Sequence, residues 1–388
     1  MPNTNVPSTP TIPFTIHSRV LVNKGASRGV LTTSHLEEVR DYLRQLEDRQ
    51  QPKDHERGLD QLHVSFAGKH MSARFLHRDG IDKEEMLLTE YGAQQVAREV
   101  LPARFFSGLK DLACIDADGE KLATMTWAKF AAQQRGPRLL RTMNMNIAGP
   151  GRPACVRRVL RSCHSQSYTP YSNLQFVQDI LDNATDFANR PVLNWHLSDT
   201  ALRLRFAGCD TAQVELKTPI PMIEAWNSEV GLRRVGLRGG MWRLICTNGM
   251  GHWDEKREWS WIHRGDATRI RDGVSGAFED LLVAARGVVS AYQQALSISI
   301  DNAFAWMEAE LSRAQMPDRA VQAAQLALSD PTVTPGANLA SVVDAITLIA
   351  QNEVDVFDQY EVERAAAQVM ARGLAAGARN GNRITVEA

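Results

Sequence analysis

The 388-residue chain lacks the marks of several protein classes. It has no apolar run long enough to span a bilayer. Its first twenty residues are polar and rich in Pro and Thr, without the basic start and apolar middle of a secretory signal. The five cysteines (Cys114, Cys155, Cys163, Cys209 and Cys246) are odd in number and scattered, which fits a reducing compartment rather than a disulfide framework. A cytoplasmic location is the expectation. There is no Gly-x-x-x-x-Gly-Lys-[Ser/Thr] loop, no Gly-x-Ser-x-Gly and no His-Glu-x-x-His, so ATP-driven motors, serine hydrolases and zincins find no support. "DADGE" at 116–120 opens like a calcium loop, but its twelfth position is Trp127 rather than Glu, and it reads as a plain turn. Cys163-His164 has no second pair at ligand spacing. These absences point away from an enzyme, and no catalytic residue, metal or cofactor is expected.

What is present divides along the chain. Residues 1–17 read as a flexible tail. "SHLEEVRDYLRQLED" carries a capping-box pattern (Ser34, Glu37) and apolar residues at helical spacing. "LHVSFAGKHMSARFL" alternates as a hairpin turning near Gly68. "TEYGAQQVAREVLPARFF" is a helix with Thr89 as N-cap and Pro102 as its stop. "LACIDADGEKLATMTW" reads as a hairpin turning at Asp118-Gly119, and 129–165 as irregular. A helix is expected from 173 to about 190, then strands in "ALRLRFAG", "AQVELK" and "RLICTNG". From about 276 the spacing turns helical, with Phe278, Leu281, Leu282, Ala285, Val288, Val289 and Tyr292 in one stripe. The pattern predicts α+β: an antiparallel, strand-rich core with hairpins over 18–275, a helical C-terminal region over 276–376 and a flexible tail over 377–388.

The net charge of −1 announces no polyanionic partner, so such a partner is sought in local charge. Between Glu120 and Asp179 there is no acid, while Lys121, Lys129, Arg135, Arg138, Arg141, Arg152, Arg157, Arg158 and Arg161 all fall there. A second cluster, Arg233, Arg234, Arg238 and Arg243, lies in "NSEVGLRRVGLRGGMWRLICTNGM" (227–250), among Gly231, Gly236, Gly239 and Gly240. Arginines track phosphates, and rings such as Tyr168, Tyr171, Trp226 and Trp242 stack on bases. The expected interface is Arg135, Arg138, Arg141, Arg157, Arg158, Arg161, Tyr168, Arg233, Arg234, Arg238 and Arg243. The glycines would keep a hairpin low enough for a nucleic-acid backbone to approach, and Cys246 would be buried and inert. The rival reading pairs these arginines with acids from elsewhere in the chain, or across a subunit interface. A metal-dependent nuclease would draw on Asp254, Glu255, Glu258, His252 and His263, although charge alternating with Trp253, Trp259 and Trp261 also describes a half-exposed strand.

Four segments in order resemble a large domain-of-unknown-function family of phage- and plasmid-like proteins: "LLTEYGAQQVAREVLPARFF", "RRVLRSCHSQSYTPYSN", the 227–250 stretch with "IHRG" after it, and "TPGANLASVVDAITLIAQ". The resemblance spans roughly 30–350. By analogy with phage single-strand annealing proteins of the RecT and Red-beta kind, it implies single-stranded DNA binding without ATP, assembly into homo-oligomeric rings or filaments, and strand annealing in phage or plasmid recombination. The alternatives are a DNA-processing enzyme or a non-catalytic interaction protein of a mobile element.

Overall fold

The computed structural model describes residues 20–24, 35–68, 70–77, 80–81, 84–102, 104–134, 136–149, 152–183, 190–209, 218–243, 250–350 and 356–385. The fold is α+β, as the segregated periodicities require. Where the sequence suggests one core over 18–275, contacts group the described residues into two compact units, one within 44–168 and one within 20–43 and 169–388.

The first unit is built on a sheet in the order β2 (Lys53–Gly58), β7 (Pro137–Gly149), β8 (Arg152–His164), β6 (Met86–Leu88), β4 (His70–His77) and β3 (Leu62–Ala67), with β5 (Gly80–Ile81) on β4. Only β6 and β8 pair in parallel. Helices α2 (Glu90–Val100), α3 (Phe105–Ala113) and α4 (Ala117–Ala131) bury Val96, Leu109 and Trp127 with Val64, Phe66, Leu140 and Leu160 of the sheet. Thr89 caps α2 as expected, its hydroxyl accepting the Gly92 N–H at 2.9 Å.

Two expectations fail here. "DADGE" is a helix start, not a hairpin turn: Asp116 accepts the Gly119 N–H at 2.7 Å, which is the N-cap role Asp favours. The span read as irregular is the 13-residue pair β7 and β8. Pro137 starts β7 and Gly149 ends it, while Leu140, Met143, Met145, Val159 and Leu160 supply the buried positions.

Sheet edges in this unit are managed. α4 covers β3, with Thr124 accepting the Phe66 N–H at 3.3 Å and Glu120 the Gly68 N–H at 2.8 Å. The other edge, β2, is charged and mostly exposed.

The second unit has a six-stranded antiparallel sheet in the order β1 (Val20–Lys24), β9 (Val192–Ser198), β10 (Leu202–Ala207), β11 (Ile220–Asn227), β12 (Val235–Arg243) and β13 (Met250–Trp261). α5 (Asn173–Asn183), α6 (Thr268–Gly276) and α7 (Phe278–Ala295) accompany it. The C-terminal helices α8 (Ala303–Arg313), α9 (Asp318–Ala327), α10 (Leu339–Ala350) and α11 (Val356–Arg379) share one core with Met241 of β12, so they belong with this sheet rather than apart from it. The expected tail over 377–388 is partly ordered: α11 runs to Arg379, and Arg383–Ile384 pair in parallel with Ser299–Ile300. Among the described residues, no helix is long and apolar enough to cross a membrane.

Candidate nucleic-acid interface

Most of the predicted arginines already have partners inside the chain. In the first unit, Arg138 donates to Glu99 and Arg141 to Asp54, each at 2.8 Å. Arg158 is buried on neutral acceptors: the Gln51 carbonyl at 2.8 Å and the side chains of Thr142 and Asn144 at 3.1 Å. Arg161 is buried as well. Replacing Arg157, Arg158 and Arg161 together is therefore a test of folding, not of binding. Tyr168 stacks on His164, with ring centroids 3.8 Å apart. Arg135 lies outside the described residues. Arg157 is the one of this set left exposed.

The exposure of Arg157 follows from topology. β2 pairs with β7 only over Pro137–Thr142, and β6 pairs with β8 only at Val159–Leu160. Among the described strands, Met143–Gly149 and Arg152–Arg158 pair only with each other, so they run on as a two-stranded ribbon of about 23 Å at 3.3 Å per residue. Asn146, Cys155, Val156 and Arg157 are exposed on it, and its sequence contains no acid.

In the second unit the arginine cluster turns inward, which corrects the expected groove. Arg238 of β12 lies directly opposite Glu224 of β11 and donates to it at 2.7 and 3.1 Å, with a longer contact to Glu363 at 3.5 Å. Arg203 and Arg205 of β10 bind the same two carboxylates. All five side chains are buried on the face of the sheet that α11 covers. Arg243 is buried on Asp344, the Tyr292 hydroxyl at 2.6 Å and Thr334 at 2.8 Å. Arg233 lies over the Tyr360 ring at 3.8 Å and reaches Glu361 at 3.4 Å. Only Arg234 of the four is exposed.

The glycines serve the same interior. A Cβ on Gly236 would lie 2.1 Å from the Trp226 ring, and one on Gly239 would lie 2.4 Å from the Leu281 carbonyl oxygen of α7. The low backbone thus admits the protein's own indole and its own helix. The resemblance-bearing segments also meet one another. Asn227 donates to the Tyr171 carbonyl and to Asn173 at 3.0 Å, Glu229 accepts the Asn173 N–H at 2.7 Å, and Tyr171 donates to Asp179 at 2.7 Å.

Burial alone pushes the Glu224 carboxyl up, but Arg203, Arg238 and Arg205 outweigh it and hold it at about 2. Burial, then Arg203 and Arg205, push His196 of β9 down to about 4. Its folded value lies below the ordinary 6.5, so the unfolded chain takes up the proton first as pH falls. The cost begins near pH 6.5 and grows until about pH 4, reaching on the order of 3 kcal/mol. His196→Gln is expected to flatten the pH dependence of the urea midpoint across that window, and an unchanged slope would count against the assignment.

Burial pushes Cys163 up to about 12, which makes it an inert thiol. Cys246 and the side chains of His252, Asp254 and Glu255 lie outside the described residues. Glu258 accepts the Tyr360 hydroxyl at 3.2 Å, and His263 is buried. Among the described residues, no three His, Cys, Asp or Glu side chains are grouped to hold a metal ion.

The buried cluster Arg203, Arg205, Glu224 and Glu363 escaped the sequence reading. The signal was there in "LRLRFA" and "PMIEAW": two alternating arginines on one apolar strand and a lone acid on the next. No protein-family profile, curated protein or solved structure matches the chain.

Proposed function

We propose that the chain binds single-stranded DNA without ATP and, as a homo-oligomer, anneals complementary strands in the recombination of a mobile element. The observation that carries this reading is the acid-free β7–β8 ribbon, which runs past both of its sheet neighbours and holds Arg157 outward. A polyanion is attracted to such a surface, and the reading requires no catalytic group. Arg157→Ala tests it, because the side chain is exposed and its loss does not disturb the core. In anisotropy titrations with an oligothymidylate, the affinity is expected to fall severalfold and the salt slope to shrink by roughly 0.7 for one lost phosphate contact. Unchanged affinity and slope would remove the ribbon from the interface. No binding by the unaltered protein at low salt would end the reading itself.

A further inference from the structure

A second surface, in the second unit, leaves a tryptophan and several arginines exposed, whereas the rings met by the buried arginines, Trp242 under Arg205 and Tyr360 under Arg238, are taken up inside the protein. β13 is the last strand of its sheet, and Trp259 on it is 40% exposed. Trp127, Trp195, Trp226, Trp242 and Trp306 are all buried. Trp259 pairs with Leu237 and Trp261 with Val235, so the two indoles share a face about 7 Å apart along the strand. Trp261 is half-buried: the position of a Cβ on Gly273 of α6 lies 2.1 Å from its ring. Arg269 is one helical turn before Gly273, on the side of α6 that meets Trp261. The Val235–Trp261 pairing brings Arg234 level with Ile262, which is 49% exposed, and Arg264 follows two residues later.

A single exposed tryptophan needs no explanation. Three exposed guanidiniums toward the Trp261 end of the same strand do, because Arg234, Arg264 and Arg269 make no ion pair among the described residues. The neighbouring acids are engaged locally. Glu258 accepts from Tyr360, Asp266 accepts the Thr268 N–H at 2.9 Å and is also within reach of the charges of Arg271 and Arg269, and Asp272 faces Arg271 at 3.6 Å.

We infer that Trp259 is a stacking platform for a base of single-stranded nucleic acid, with Arg234, Arg264 and Arg269 holding the phosphates that follow toward the Trp261 end of the strand. The inference rests on the proposed nucleic-acid binding and extends it to a surface of the second unit. An indole face accepts any base, and a guanidinium fork binds any phosphate, so the site is indifferent to sequence and selects unpaired strands, whose bases are open to stacking.

Acrylamide quenching of tryptophan fluorescence in the full chain tests it. Trp259→Phe identifies by difference the quenchable fraction that belongs to this residue. Bound oligothymidylate is expected to shield that fraction in the unaltered protein, whereas duplex of the same length is not. Trp259→Ala is expected to weaken single-strand binding roughly five- to a hundredfold while leaving duplex binding unchanged. If anisotropy shows the oligothymidylate bound while the Trp259 fraction stays fully quenchable, the platform is refuted and the nucleic-acid reading stands. If the unaltered protein binds no oligothymidylate at low salt, both fall. Equal shielding by single strand and duplex would also refute the platform, and shielding on dilution-dependent self-association without DNA would assign the surface to a second copy instead. The shielding measurement uses the unaltered chain, so the result does not depend on how a variant folds.

Discussion

Glu224→Gln is expected to be among the most damaging single changes in the second unit. The substitution keeps the shape and removes one charge. Glu224 is wholly buried and is the shared acceptor of Arg203, Arg205 and Arg238. Without it, three buried guanidiniums face one remaining described carboxylate, Glu363. Removing one partner of a buried pair costs about 3–5 kcal/mol, because the other charge stays desolvated. In a domain of this size that is a fall in melting temperature of roughly 8–16 °C. Glu363→Gln should do comparable harm from the helix side, and the double variant should cost less than the sum, since both changes strip the same arginines.

The pH dependence follows with its own sign. The folded Glu224 carboxyl sits at about 2, below its ordinary 4.5, so its contribution is complete above pH 4.5 and is lost as pH falls toward 2. That window lies below the one assigned to His196, so acid unfolding should steepen in two stages, and Glu224→Gln should remove only the lower. Calorimetry and urea titrations across both windows check this. A variant as stable as the parent at neutral pH would mean that the cluster is solvated rather than buried.

The α+β class was legible because periodicity survives translation into structure: residues two apart share a sheet face and residues three or four apart share a helix face. Thr89 was readable as a cap for the same local reason. What was not legible is long-range. The arginines of 138–161 and 203–243 look alike in sequence, yet among the described residues of the predicted set only the arginines Arg157 and Arg234 are left outward. Several of the others meet acids far along the chain, as Arg233 reaches Glu361, 128 residues away, while Arg158 is buried on neutral acceptors. A basic run in a neutral chain carries two meanings, attraction to a polyanion and internal pairing, and composition weighs them equally. Gly and Pro misled in the same way. Gly149 and Pro153 mark only the ends of two long paired strands, and in "DADGE" the glycine sits inside the first turn of a helix.

Gly239→Leu is the sharpest test of what the glycines of 227–250 are for. Were they kept small to admit a nucleic-acid backbone, a leucine there would block binding and leave the fold standing. The packing requires the opposite order. The first atom of any side chain at Gly239 would stand 2.4 Å from the Leu281 carbonyl oxygen and 2.9 Å from the Ala285 nitrogen. Both belong to the backbone of α7, which cannot swing aside as a flexible side chain can. α7 packs on β11 and β12 and carries Val288 and Tyr292 into the C-terminal core. A shift of this helix therefore strains the sheet contact and the Arg243–Tyr292–Asp344 network together. Overpacking in a core typically costs 1–3 kcal/mol, and a clash with backbone on this scale is expected at about 3 kcal/mol or more. Gly239→Ala should lose a substantial part of that, because the Cβ alone makes the contact. Gly287→Ala is the matched control: it lies on α7, where a Cβ meets nothing within 4 Å, and it should stabilise by roughly 0.5–1 kcal/mol through helix propensity. Thermal melts of the three variants, read beside oligothymidylate binding below the melting range, decide the matter. A stable Gly239→Leu protein that no longer binds would restore the open groove, whereas an unfolding variant beside a stabilised Gly287→Ala places Gly239 under the helix.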